Sequence, residues 1–223
     1  MQMPFRRKAA SAAAVVVVAL LAGAAGARAG GGPQEQLARL RAIYAATSDL
    51  TARFVQRSHL AAAGVVAEVQ GRVAFRKGGK MRWVYEGDDP QVIVSDGRTL
   101  WIHQVRDRTV LRQELGRLPP SSRLALDLLG GFEEVERFFQ VGACGDRCVE
   151  LIPTEPRPDL AKILVHLDLD GQIVERVVTE DPLGNRTEVA FSDVRRNAGV
   201  DDGQFAFAVP DGVQVLDMQG GQP

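Results

Sequence analysis

Histidine occurs only three times in this chain, at His59, His103 and His166, and cysteine only twice, at Cys144 and Cys148. The histidines lie far apart, none with a second His or Cys at ligand spacing, so each reads as a plain strand residue and no metal site is expected. A nucleophile elbow, a P-loop, a dinucleotide glycine fingerprint and an H-E-x-x-H helix are all missing. The acidic pairs Asp88-Asp89, Glu133-Glu134 and Asp201-Asp202 fall at turns or helix starts, where solvated or capping carboxylates belong. Nothing argues for hydrolysis, no cofactor is implied, and the chain is not expected to be an enzyme.

Basic charge is also scarce once the N-terminus is set aside. Arg6, Arg7 and Lys8 precede an apolar run rich in Ala, Val and Leu, and Ala27-Arg28-Ala29 follows as a small-x-small site. This is the layout of a secretory signal peptide over residues 1–29. The alternative is an uncleaved membrane anchor, and the Arg pair matches a twin-arginine signal poorly. No Cys lies near the cleavage site, so a lipid-anchored mature protein is not expected. Cleavage removes four cations and no anion, leaving 23 Lys and Arg against 28 Asp and Glu, a net charge of about −5. That balance argues against a nucleic-acid partner. No second apolar stretch is long enough to span a bilayer. Residues 30–223 are expected to be one soluble domain, with no fixed-period repeat and no dividing linker.

Cys144 and Cys148 enclose only Gly-Asp-Arg. In an exported protein the default is a disulfide, here pinning a turn between strands at 139–141 and 149–152. The loop is so short that chain entropy supplies only about 2 kcal/mol. A redox role would prefer C-x-x-C.

Apolar spacing predicts a helix over 34–47, with Leu37, Leu40, Ile43 and Tyr44 forming its stripe. A second helix is expected after Pro119-Pro120, capped by Ser121 or Ser122 and carrying Leu124, Leu128 and Leu129, with a short third helix over 132–138. The rest reads as about eleven short strands, with segments at 205–207 and 213–216 completing the chain. Helices do not alternate with strands, so the fold class is α+β: an antiparallel sheet with helices segregated to one face.

Residues 71–103 carry the densest information. Gly78-Gly79 separates Val73 and Phe75 from Met81, Trp83 and Tyr85, and Asp96-Gly97 separates Val92 and Val94 from Leu100 and Ile102. Asp-Gly between apolar runs is a strong hairpin signal, because both central residues of a type I′ turn need positive φ. The large apolar residues recur at every second position and therefore share one face. Val73, Phe75 and Lys77 have the same parity, which predicts a lysine facing the same side. An aromatic-rich sheet face needs a cover.

This block resembles the LolA family of periplasmic outer-membrane lipoprotein carriers. The resemblance rests on Gly71, Phe75, Lys77, Trp83, Gln91, Ser95-Asp96-Gly97 and Leu100-Trp101. Phe54-Val55-Gln56 upstream, and Phe205-Ala206-Phe207 with Val209-Pro210-Asp211-Gly212-Val213 downstream, continue it. The resemblance implies an incomplete β-barrel under a lid of three helices, a periplasmic location and a monomer. Its cavity would take the acyl chains of lipoproteins moving from the inner to the outer membrane. The partners implied are an inner-membrane ABC-type release complex as donor and an outer-membrane lipoprotein receptor as acceptor. Leu50, Phe54, Val73, Phe75, Met81, Trp83 and Tyr85 would line the cavity, with Leu40, Ile43, Leu124 and Leu128 plugging it from the lid. Lys77 stands where the family has an arginine that latches the lid, and a point charge replaces a planar fork. The alternative is a lipid- or glycolipid-binding protein of the same fold with another cargo.

Overall fold

The computed structural model describes residues 32–117, 135–168 and 173–218. The predicted helix carrying Leu124, Leu128 and Leu129 lies outside these residues, as does the start of the third. Two α-helices are described, α1 (Pro33–Ala45) and α2 (Val135–Phe138). None is long and apolar enough to cross a membrane.

Six strands precede α2: β1 (Asp49–Leu60), β2 (Val65–Arg76), β3 (Lys80–Glu86), β4 (Gln91–Asp96), β5 (Thr99–Gln104) and β6 (Thr109–Glu114). Six follow it: β7 (Phe139–Ala143), β8 (Cys148–Pro153), β9 (Lys162–Leu167), β10 (Val174–Glu180), β11 (Arg186–Arg196) and β12 (Gln214–Asp217). They form one sheet in the order β12-β6-β5-β4-β3-β2-β1-β11-β10-β9-β8-β7. The sheet is open and curved, with β12 and β7 as its edges, and among the described residues it has twelve strands rather than eleven. One pairing departs from the antiparallel expectation: β12 runs parallel to β6, with Val215 opposite Val110. The chain reaches that edge by crossing the convex face, so it arrives in the same direction as β6.

The crossing segment also corrects the reading of 205–207 as a strand. Asp202–Phe205 is a 3-10 turn whose N-cap, Asp201, accepts from the Gly203 amide. Phe205 is buried against Ala74 and Val200 on the convex face, and Phe207 stacks on Trp101 at 5.9 Å. Asp202 ties the segment down through Lys80 at 2.8 Å and Arg76 at 3.3 Å. The hydrogen bond from Lys80, then the charges of Lys80 and Arg76, hold this carboxyl below its usual range.

The hairpin turns are local solutions to tight reversals. Gly78 and Gly79 have φ of 91° and 74°. At Asp96-Gly97 only Gly97 has positive φ, 92°, which fits a II′-type turn better than I′. Asp96 instead accepts from the Arg98 and Thr99 amides, both at 2.8 Å, and so braces the turn with its side chain.

α1 begins where Pro33 can occupy the first turn without wasting an amide donor, with Glu35 nearby to suit the positive end of the helix dipole. Leu37 and Leu40 are fully buried against Val149, Leu151, Val165 and Leu167 of β8 and β9. This is a solid core, so Leu40 is an anchor and not the cavity plug that its place on the stripe suggested. A helical stripe says which face is buried, but not against what.

The N-terminal half of α1 has a second anchor. Gln36 is 2% exposed and donates to the carbonyls of Gly145 (3.2 Å) and Asp146 (2.8 Å). Those carbonyls belong to the loop closed by the Cys144–Cys148 disulfide. Replacing both cysteines by serine should lower unfolding free energy by about 2 kcal/mol, read by urea denaturation. Amide exchange should rise first in the N-terminal turns of α1. Unchanged protection there would mean that the loop does not anchor the helix.

Candidate functional site

Strand register sets one apolar face. Leu50 lies opposite Phe75, Ala52 opposite Val73, and Phe54 opposite Gly71. Across the next ladder, Phe75 meets Met81, Val73 meets Trp83, and Gly71 meets Tyr85. All seven residues proposed for the cavity therefore share the concave side of β1, β2 and β3.

They divide into two zones. Leu50, Phe75 and Met81 line a cavity of about 160 Å³ beneath the C-terminal half of α1. Its far wall is Val174 and Val177 of β10 with Phe191 and Val194 of β11, and its roof is Ile43 and Tyr44. Phe54, Val73, Trp83 and Tyr85 extend the same apolar face away from the cavity. Phe54 meets Trp83 and Tyr85 edge-on, with ring centroids at 4.7 and 5.0 Å. Trp83 also contacts Phe75 at 5.7 Å and Phe191 at 6.2 Å. Gly71 makes this packing possible, because the Phe54 ring lies where a side chain would stand.

The two phenols here stay neutral. Burial pushes the Tyr44 phenol up to about 12 and raises that of Tyr85. Tyr85 donates to Gln56 Oε1 at 3.3 Å, so the apolar face carries a satisfied hydroxyl rather than a charge.

The end of α1 forms the cavity rim, and its carbonyls can be followed one by one. A helix leaves its last carbonyls without intrahelical partners. Ala42 accepts from the Ala46 amide, Ile43 from Thr47 Oγ1 at 2.7 Å, and Tyr44 from the Thr47 amide. The last two accept from side chains far away in sequence. Lys77 Nζ donates to the Ala45 carbonyl at 2.7 Å, and Asn197 Nδ2 donates to the Ala46 carbonyl at 3.0 Å. α1 has no basic residue in its own last turn, so the ammonium of Lys77 supplies the positive charge that its dipole favours. Asn197 has a φ of 55°. Its Oδ1 accepts from the Ser48 amide at 2.7 Å and hydroxyl at 2.9 Å, which pins the α1–β1 turn.

Lys77 lies on the side that its parity predicts, bordering the cavity with Phe75 and reaching the end of α1. β2 ends at Arg76, so the side chain stands exposed on the rim. Ile43 lines the cavity, Leu40 does not, and Leu124 and Leu128 lie outside the described residues. Sequence reasoning missed the β10–β11 wall, Tyr44, Arg196 and Asn197. Val174, Val177 and Phe191 carried an alternating signal that could have been found; Asn197 carried none.

Comparison with known proteins places this geometry among relatives. A family model described as outer membrane lipoprotein carrier protein LolA matches residues 45–208. An outer-membrane lipoprotein carrier protein from Chromobacterium violaceum is 32% identical over 182 residues, 81% of this chain and 86% of that protein. One from Alkalilimnicola ehrlichii is 33% identical over 190 residues, covering 83% and 85%. Among solved structures, an uncharacterized conserved protein from Thermus thermophilus superposes with a TM-score of 0.51 at 13% identity, over 83% of this chain and 98% of that one, a likeness of fold alone.

Proposed function

The chain belongs to the outer membrane lipoprotein carrier family, LolA, and on that premise we propose that it holds the acyl chains of lipoproteins in the cavity beneath α1. The observation that carries this reading is the continuity of that cavity with the aromatic face. Leu50, Phe75 and Met81 open onto Phe54, Val73, Trp83 and Tyr85 without an intervening charge. Lifting the end of α1 would join the two zones into one apolar groove.

The energetics suit a carrier. Each acyl CH₂ taken from water contributes about 0.8 kcal/mol. A lipid anchor with two or three chains therefore does not cross water exposed, and a groove that gained the whole of that energy would not release it. Ile43 and Tyr44 fill part of the groove in the empty state, so loading displaces them and offsets some of the gain. Release then requires only an acceptor with slightly better contacts.

Lys77 and Asn197 are the latch in this reading. Each contributes a net hydrogen bond of about 1 kcal/mol, enough to bias the lid closed and little enough for cargo to open it. Leu37, Leu40 and Gln36 keep the other half of α1 seated, so the helix would tilt about its N-terminal half. Residues 1–29 would direct export and be removed, leaving a carrier in the periplasm between an inner-membrane ABC-type donor and an outer-membrane lipoprotein receptor.

Mass spectrometry of the mature chain, purified gently from cells, tests the cargo. Co-purified acylated lipoprotein supports the reading. A glycolipid would transfer the same groove to another cargo, and an empty groove under loading conditions would refute it.

A further inference from the structure

The cavity is apolar inside and cationic at its mouth. Arg76, Lys77, Lys80 and Arg196 border it with a single carboxylate, Asp49, which already accepts from the Ser48 hydroxyl and the Gly199 amide, in a mature chain whose net charge is negative. Two of these cations already have a carboxylate partner, since Arg76 and Lys80 share Asp202 on the convex side. Among the described residues Lys77 is bonded only to a neutral carbonyl. Arg196 differs again. It lies opposite Leu50 on the concave face, is half-buried, and makes no side-chain hydrogen bond or ion pair among the described residues. Charges withdrawn from water are normally paired. A half-buried guanidinium at the mouth of an apolar cavity is placed to pair with an anion there.

We propose that Arg196, with Lys77 on the same rim, binds the anionic group of an amphiphile whose acyl chain occupies the cavity. This rests on the reading of the cavity as an acyl-chain site, and it adds a class of ligand. The acylated N-terminus of a lipoprotein is built from esters, an amide and a thioether and has no charge of its own. The anion therefore comes from elsewhere: the carboxylate of a free fatty acid or the phosphate of an acidic phospholipid. Both present oxygens to a planar fork of donors, which arginine offers and lysine does not. Such a ligand would occupy the groove between cargoes and compete with loading.

The test titrates the mature chain with matched pairs below their micellar concentrations at pH 8. Palmitate is compared with methyl palmitate, and lysophosphatidylglycerol with monopalmitoylglycerol. A neutral triacylated lipopeptide, whose N-terminus is an amide, serves as the cargo control. The anionic member of at least one pair should bind about tenfold more tightly, and which pair responds identifies the source. Arg196→Gln should abolish that preference, weakening the anionic member far more than its neutral partner or the lipopeptide, and leave the melting temperature unchanged. Equal binding within both pairs, or an equal loss for charged and neutral ligands in the variant, would overturn the proposal. Absent lipopeptide binding alongside a charge preference would instead count against the carrier reading.

Discussion

Gly71→Ala should destabilise the fold by about 3 kcal/mol and greatly reduce soluble yield. A Cβ at this position would run into the Val84 carbonyl oxygen and lie 2.8 Å from two atoms of the Phe54 ring. Neither neighbour can yield easily. Val84 is main chain within the β2–β3 ladder, where Gly71 faces Tyr85. Phe54 is 1% exposed and boxed in by Trp83 and Tyr85. The substitution must open the ladder or expel the ring at the centre of the apolar face. Gly116 is the control, because a Cβ there meets nothing within 4 Å. Gly116→Ala should stay within about 0.5 kcal/mol of the parent. Urea denaturation of both variants measures the difference, and similar midpoints would show that Phe54 does not need the space over Gly71.

Removing both donors from the end of α1 should have the largest effect on function. Lys77→Leu with Asn197→Ala leaves the Ala45 and Ala46 carbonyls to water, deleting two bonds to the helix end worth about 1 kcal/mol each, and also frees the Ser48 amide and hydroxyl from Asn197 Oδ1. The closed lid loses that bias, so apparent affinity for a diacylated lipopeptide should rise about tenfold. Transfer to an acceptor should slow by a similar factor. The double variant should remain folded, since Leu37 and Leu40 still anchor the helix. Trp83, which sits among the rings of the apolar face, reports loading by fluorescence, with Trp101→Phe removing the background from the convex side. Lys77→Arg should preserve most of the latch. Wild-type affinity and transfer rate in the double variant would show that these bonds only finish a helix end.

These expectations also mark where the fold was legible in the sequence. The block at 71–103 reads clearly because strands alternate with period two and glycine turns interrupt them, so Phe75, Met81, Trp83 and Tyr85 could be assigned one face without coordinates. Parity puts Lys77 on the concave side, where it borders the cavity, but does not show its exposure, because β2 stops one residue earlier. Leu40 and Ile43 share a stripe, yet one anchors the helix on β8 and β9 while the other roofs the cavity. Their fates diverge because α1 overhangs from a solid core onto an open one. The parallel pairing of β12 depends on a crossing of the convex face held by Phe205, Phe207 and Asp202, and no local pattern encodes it. Asn197 was illegible for the same reason: its role consists of contacts with Ala46 and Ser48, some 150 residues away.

The central claim is that this chain extracts an acylated lipoprotein into water and shields its lipid. Spheroplasts that retain a labelled lipoprotein on their inner membrane test it most directly. Adding the purified mature chain should release the lipoprotein into the medium as a one-to-one soluble complex, separable by gel filtration. Recovery of the lipoprotein only in the membrane fraction, with a folded and lipopeptide-competent chain in the medium, would contradict it.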